Sequence, residues 1–202
     1  VALQAINDVA FMRSIPNMTV LSPADCAEAI KMMEAMAKIN GPVYMRLCGT
    51  TAIPTVYADD YNFEIGKAVT LQSGVKIALI ATGVTMVSEA MKTAKQLEET
   101  IGIKCTVVNM HTIKPIDAEC ITSLAENHDI LVTIEEHNTI GGLGSAVAEV
   151  VGRKKHNCRQ VFIGINDTNF KMGSRQYMLN QAGLTSEHMF EKIAKEVGEL
   201  HD

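Results

Sequence analysis

Four short apolar runs, KIALIATG (76–83), KCTVVNM (104–110), ILVTI (130–134) and QVFIGI (160–165), recur with helix-length amphipathic stretches between them. A strand buried on both faces reads as a nearly continuous apolar run, and parallel neighbours need a crossover long enough for a helix. The pattern therefore predicts an α/β domain with a mainly parallel sheet and helices on both faces. A shorter run, AVTL (68–71), precedes the first of these strands. Helices are expected from about Met86 to Glu99, from Asp117 just after Pro115, to about Arg153, and twice near the C-terminus.

The first quarter of the chain reads differently. Leu3, Ile6, Val9 and Ala10 recur at helical spacing, and Pro16 with Asn17 closes that segment before the strand-like MTVL (18–21). In SPADCAEAIKMMEAMAKING, Ser22 is expected as N-cap, Pro23 at the first helical position, Asp25 as the acidic partner of a capping box and Gly41 as the stop. PVYMRL (42–47) reads as a buried strand. The following stretch is low in periodicity, contains Pro54 and reads as a linker. The expected division is half of an α/β domain over 1–52, a linker over 53–65 and a complete α/β domain over 66–202. Because the chain begins with Val1 inside a helical pattern, it is expected to be a fragment or a processed piece.

Composition narrows the function classes. With 47% hydrophobic residues the chain can bury a globular core, and a formal net charge of −5 leaves no basic face for nucleic acid or an anionic membrane. The five cysteines are odd in number and widely spaced, without a C-x-x-C pair, and read as reduced thiols. With no signal peptide and no apolar stretch of membrane-span length, the expected location is the cytoplasm.

The densest candidate chemistry is IEEHNTIGGLGSAVAEVV (134–151). A strand, a glycine loop and a helix N-terminus in that order can present N–H groups to an anion. The dinucleotide fingerprint is incomplete, with Val147 where the third glycine or alanine belongs. The competing reading gives Gly141, Gly142 and Gly144 a structural role, through positive φ and close packing of helix on strand. Glu135, Glu136 and His137 sit at the carboxyl end of a predicted strand, the edge where open α/β sheets place their sites, but nothing nearby completes a triad or a metal set. Arg46 ends a buried strand and needs an anionic or carbonyl partner. Arg13 can serve the last carbonyls of the first helix. Met32, Met33 and Met36 read as core or interface packing, and Asp59 and Asp60 as a solvated turn.

Taken together, AINDVAFMRSIPNMTVLSPAD, GPVYMRL, VNMHTIKPID and EEHNTIGGLGSAVAEV resemble, in order, the C-terminal portion of the transketolase family. The likeness is to the C-terminal subunit of split prokaryotic transketolases, with 1-deoxyxylulose-5-phosphate synthase more distant. The resemblance implies a thiamine diphosphate and Mg²⁺ enzyme that moves a two-carbon ketol unit between sugar phosphates, dimeric, with the cofactor at the subunit interface. Residues 1 to about 52 would be the second half of the pyrimidine-binding domain, and 66 onward the C-terminal domain. The activating glutamate and the diphosphate domain would lie outside the chain, so the partner is an N-terminal section or subunit, and no catalytic residue or tightly held cofactor is expected here.

Arg46 and Arg13 are the candidate substrate-binding cations, Arg46 with a structural role as its rival. Glu135, Glu136, His137 and the three glycines are expected at a loop or homodimer contact. Two departures stand out: Leu3 where the family usually has His, and Gly49 where it usually has a second Arg on substrate phosphate. That loss would remove a contact worth about 1.5–3 kcal/mol. The alternative is a non-catalytic scaffold that keeps the fold and the dimer contact.

Overall fold

The computed structural model describes residues 5–49, 53–168, 171 and 173–198. Leu3 and residues 50–52 lie outside them.

The chain runs α1 (Asp8–Ser14), β1 (Thr19–Leu21), α2 (Cys26–Met36), β2 (Val43–Met45), β3 (Val69–Gln72), β4 (Lys76–Thr82) and α3 (Val84–Ile101). It continues with β5 (Thr106–Asn109), β6 (Thr112–Lys114), α4 (Ala118–Asn127), β7 (His128–Asn138), α5 (Leu143–Val151), β8 (Arg159–Ile165), α6 (Arg175–Gln181) and α7 (Ser186–Gly198). Five strands form a sheet in the order β3-β5-β4-β7-β8, parallel throughout except for the antiparallel edge strand β3. Successive residues of β4 feed two cores. Ile77, Leu79 and Ala81 pack with α3 and α7, while Ala78 and Ile80 pack with α4 and α5. A strand that is apolar on both sides needs this three-layer arrangement, and the predicted class holds.

The smaller sheet, β2-β1-β6, departs from expectation. β1 and β2 are parallel, but β6 is antiparallel to β1 and comes from beyond the expected linker. Thr112–Lys114 was not legible as a strand, being short and immediately followed by Pro115. A third cluster of Val9, Val20, Ile113 and Ala146 seals the seam it creates.

α2 begins later than its sequence suggests. Ser22 continues the extended backbone after β1, its N–H donating to the His111 carbonyl at 2.8 Å, so it cannot turn to cap. Asp25 is the N-cap, accepting from the Glu28 N–H at 2.8 Å, and Glu28 reaches back to the Ala24 N–H at 2.6 Å. The capping box is Asp25 with Glu28, one turn further on. Residues 53–65 have no helix or strand, yet they are strapped down rather than loose. Val56 and Tyr57 donate backbone N–H groups to Asp25, and Tyr57 and Tyr61 donate hydroxyls to Glu28 at 3.2 and 2.6 Å. Burial pushes the Glu28 carboxyl upward, against these donors and Asn109.

Candidate functional site

The glycine loop leaves β7 at Asn138 and enters α5 at Leu143. The Leu143 and Gly144 N–H groups, which a bound phosphate would occupy, donate at 2.6 and 2.8 Å to the two carboxylate oxygens of Glu135. The anion at this helix N-terminus is therefore the protein's own. Space confirms the fit. A Cβ on Gly142 would lie 2.0 Å from Glu135 Oε2, and one on Gly144 would lie 2.4 Å from the Phe162 ring. Gly141 has φ +80°, and its missing Cβ would sit 2.7 Å from the Ala10 Cβ of α1. All three glycines do what the structural reading asked of them, and the phosphate-cradle reading fails at this loop.

Glu135 is 2% exposed and His137 1%, both inside the protomer, so neither side chain can contribute to a subunit contact. Burial pushes the Glu135 carboxyl up to about 7, with the two N–H groups pulling the other way. His137 accepts from the Ala10 N–H at 3.4 Å through Nε2, and its Nδ1 lies 2.7 Å from the Asn138 carbonyl. Burial lowers its pKa, which keeps the ring neutral. Arg13 does not serve its own helix end. It donates to the Gly141 carbonyl at 2.7 Å and to Glu149 at 2.8 Å, pinning α1 to the glycine loop.

Arg46 lies on the other side of the junction. Its Nε donates to Asp8 at 2.9 Å, and Nη2 donates to the carbonyls of Ala5 at 2.9 Å and Glu136 at 3.0 Å. Tyr44 adds a 2.7 Å hydrogen bond to the same Asp8 oxygen. Burial alone would raise the Asp8 carboxyl, but Tyr44 and Arg46 outweigh it and hold it below the usual range. These groups form one wall of a cavity of about 600 Å³ at the carboxyl ends of β4 and β7. Its lining also includes Thr82, Gly83, Thr85 and Glu136, with Arg175 donating to Thr85 at 2.7 Å and paired with Glu136. Arg46 and Gly49 both line this cavity, whereas Arg13 and the three loop glycines do not.

The sequence-predicted residues thus fall into two groups. Glu135, His137, Arg13 and the glycines build the seam, and Arg46 and Glu136 border open space. Arg175, Thr82 and Asp8 were not singled out from sequence. No local pattern in the sequence marks Asp8 or Arg175.

Two sequence profiles match the chain in order: "Transketolase, pyrimidine binding domain" over residues 2–50 and "Transketolase, C-terminal domain" over residues 66–189. The chain belongs to the transketolase family. A "Putative transketolase C-terminal section" of Methanocaldococcus jannaschii is 39% identical over 96% of this chain and 60% of its own length. "6-deoxy-6-sulfo-D-fructose transketolase subunit SqwH" of Clostridium sp. is 36% identical over 96% and 59%. A solved structure described as "Split gene transketolase, inactive beta4 tetramer" superposes with a TM-score of 0.86 at 40% identity, covering 95% of this chain and 61% of that one. The chain spans about three fifths of the length of these transketolase relatives. It is also similar to 1-deoxy-D-xylulose-5-phosphate synthases, 36% identical to that of Pseudomonas fluorescens over 88% of this chain and 27% of that protein.

Within the transketolase frame, β1, β2, α1 and α2 fall in the pyrimidine-binding match and β3 to α6 in the C-terminal match. β6 and the glycine loop both reach across from the second to the first, so the seam described above joins two family segments.

Proposed function

We propose that this chain is the C-terminal part of a thiamine-diphosphate-dependent enzyme that transfers a two-carbon ketol unit between sugar phosphates. An N-terminal section, on the same or a second polypeptide, completes it. The observation that carries the reading is the ordered pair of transketolase matches, together with relatives named as transketolase sections and subunits. The described residues do not fit thiamine diphosphate with Mg²⁺ by themselves. Glu135 already fills the helix N-terminus at the glycine loop, and among the described residues no group of three His, Cys, Asp or Glu side chains can hold a metal. We therefore assign the cofactor to the assembled enzyme and derive no step through it here.

What this chain contributes in that reading is a rigid wall. Arg46 locks α1, β2 and the end of β7 together, and the seam fixes the partial pyrimidine-binding segment on the C-terminal domain. The section alone is inactive and self-associates; a similar solved structure described as an inactive β4 tetramer supports both points. The assembly belongs in the cytoplasm, in keeping with five free cysteines and with the absence, among the described residues, of a helix long and apolar enough to cross a membrane.

Mixing the purified full-length polypeptide with the N-terminal section, thiamine diphosphate and Mg²⁺ tests the reading. Ketol transfer is expected from the mixture and from neither component alone; turnover by this section alone, or none from a correctly assembled mixture, defeats it. The latter result favours the second reading, a non-catalytic scaffold. Gly49 on the cavity wall is the observation behind that reading, since it supplies no side chain to a phosphate.

A further inference from the structure

The cavity between the two segments has features that packing alone does not account for. α3 is an 18-residue helix whose N-terminus opens on it, with Gly83 as N-cap and no side-chain cap. The neighbouring strands β4 and β7 are where connections leave the sheet in opposite directions, the crevice in which open α/β sheets bind ligands. Four charged groups line it as two pairs, Asp8 with Arg46 and Glu136 with Arg175, so their formal charges cancel. The uncapped end of α3 then tips the balance toward a negative ligand group.

Two wall residues also carry buried oxygens without a hydrogen-bond partner among the described residues, an expensive state for a polar atom. One is the Thr82 hydroxyl, on a residue 6% exposed. The other is Asp8 Oδ1, on a side chain 10% exposed whose second oxygen already accepts from Tyr44 and Arg46. A carboxylate oxygen in that position asks for a donor, which a ligand hydroxyl supplies.

We propose that this cavity binds a small hydroxylated organic anion. The anionic group sits at the α3 N-terminus beside Arg175 and Thr82, and a hydroxyl of the ligand donates to Asp8 Oδ1. Arg175 is held over Thr85 in the first turn of α3, so it is poised to share its guanidinium between Glu136 and the ligand. The inference uses only the residues of this chain and does not rest on ketol transfer.

Calorimetric titration of the full-length polypeptide with glycerol 3-phosphate, glycerate, inorganic phosphate and glycerol separates the parts. Saturable binding of glycerol 3-phosphate or glycerate is expected, tighter than phosphate or glycerol, and the tighter of the two assigns the anion as phosphate or carboxylate. Arg175→Gln and Thr82→Val are each expected to weaken it by about tenfold. Thr82→Val removes only an unpartnered hydroxyl, so it keeps the fold and its effect reads on the site. Phosphate binding as tightly as glycerol 3-phosphate overturns the hydroxyl contact. No saturation by any probe up to about 10 mM, or affinities unchanged in both variants, overturns the site.

Discussion

Two helices start at the same edge of the same sheet, and they treat their N-termini in opposite ways. α5 follows β7 and closes its first turn on the Glu135 carboxylate, with Gly142 and Gly144 giving up their side chains to let it in. α3 follows the adjacent strand β4, and its uncapped first turn faces the cavity. Thr82 and Glu135 are register partners across the two strands, so the closed and the open end are neighbours. The difference teaches that glycine density marks tight packing here, while the open anion-ready end follows the unremarkable ATGVT.

The largest expected effect sharpens that contrast at its two glycines. Gly142→Ala forces a methyl to within 2.0 Å of Glu135 Oε2 and 2.7 Å of His137 Nδ1, neither of which can withdraw without breaking the seam. Unfolding by urea is expected to show a loss of about 3 kcal/mol or more, or no folded protein. At Gly83 the strain is mainly backbone, φ +87°, with the Ser22 hydroxyl 3.1 Å from the added Cβ. With ψ 161° this backbone lies in a region that is nearly glycine-only, so Gly83→Ala is expected to cost about 1–3 kcal/mol. Equal losses at the two positions break the comparison.

Next comes Glu135→Gln, which keeps the shape but aims an amide N–H₂ at one of two backbone donors. A loss of about 1–3 kcal/mol at neutral pH follows from an unsatisfied buried N–H. The pH dependence carries a clearer sign. The folded-state pKa of Glu135 is raised from 4.5 to about 7, so in that window the folded state holds the extra proton. Its contribution is fully present below 4.5 and is lost as pH rises toward 7. His137 and His111 are lowered by burial and act in the opposite sense, losing stability as pH falls below 6.5. The difference between wild type and Glu135→Gln isolates the carboxyl: the variant's deficit should shrink as pH rises from 4.5 to 7, and a deficit growing with pH would contradict the assignment.

These contrasts also show where the sequence was readable. Among the described residues, seven of the eight strands and the helices were legible, because a packed core imposes apolar runs and 3.6-residue periodicity. The glycine loop lies where the pattern put it, between β7 and α5, with its glycines in close contact with α1, Glu135 and Phe162. Glu135 and His137 were expected at a loop or subunit contact, and their burial was not legible, because sequence shows their polarity and not the helix that packs over them. β6 and the strap over 53–65 were illegible for a related reason, since both are held by partners far along the chain, Val20 and Leu21 for one, Asp25 and Glu28 for the other. Arg175 and Asp8 face a cavity formed only when two segments meet, and no local pattern encodes that meeting.

A smaller effect is expected at Arg13, which ties α1 to the closed end. Arg13→Ala removes the hydrogen bond to the Gly141 carbonyl and an ion pair to a Glu149 side chain that is 61% exposed. The exposed pair adds little, so the loss in urea unfolding should be about 1–2 kcal/mol, and Arg13→Lys should recover part of it.

The smallest effect has the opposite sign. Every substitution at the closed end removes a satisfied contact or forces an overlap, so each should destabilise. At the open end Thr82 keeps a buried hydroxyl that finds no partner among the described residues. Thr82→Val replaces it with a methyl of nearly the same shape and removes a desolvated polar atom, so unliganded protein should gain about 0.5–1 kcal/mol. A residue that lowers the stability of the empty fold is explained if a ligand supplies the missing hydrogen bond. Thermal unfolding with and without glycerol 3-phosphate measures both halves of the argument. The variant should melt higher when empty and gain less from the ligand, whereas a variant that melts lower when empty would mean that Thr82 already has its partner and that the two helix ends are alike.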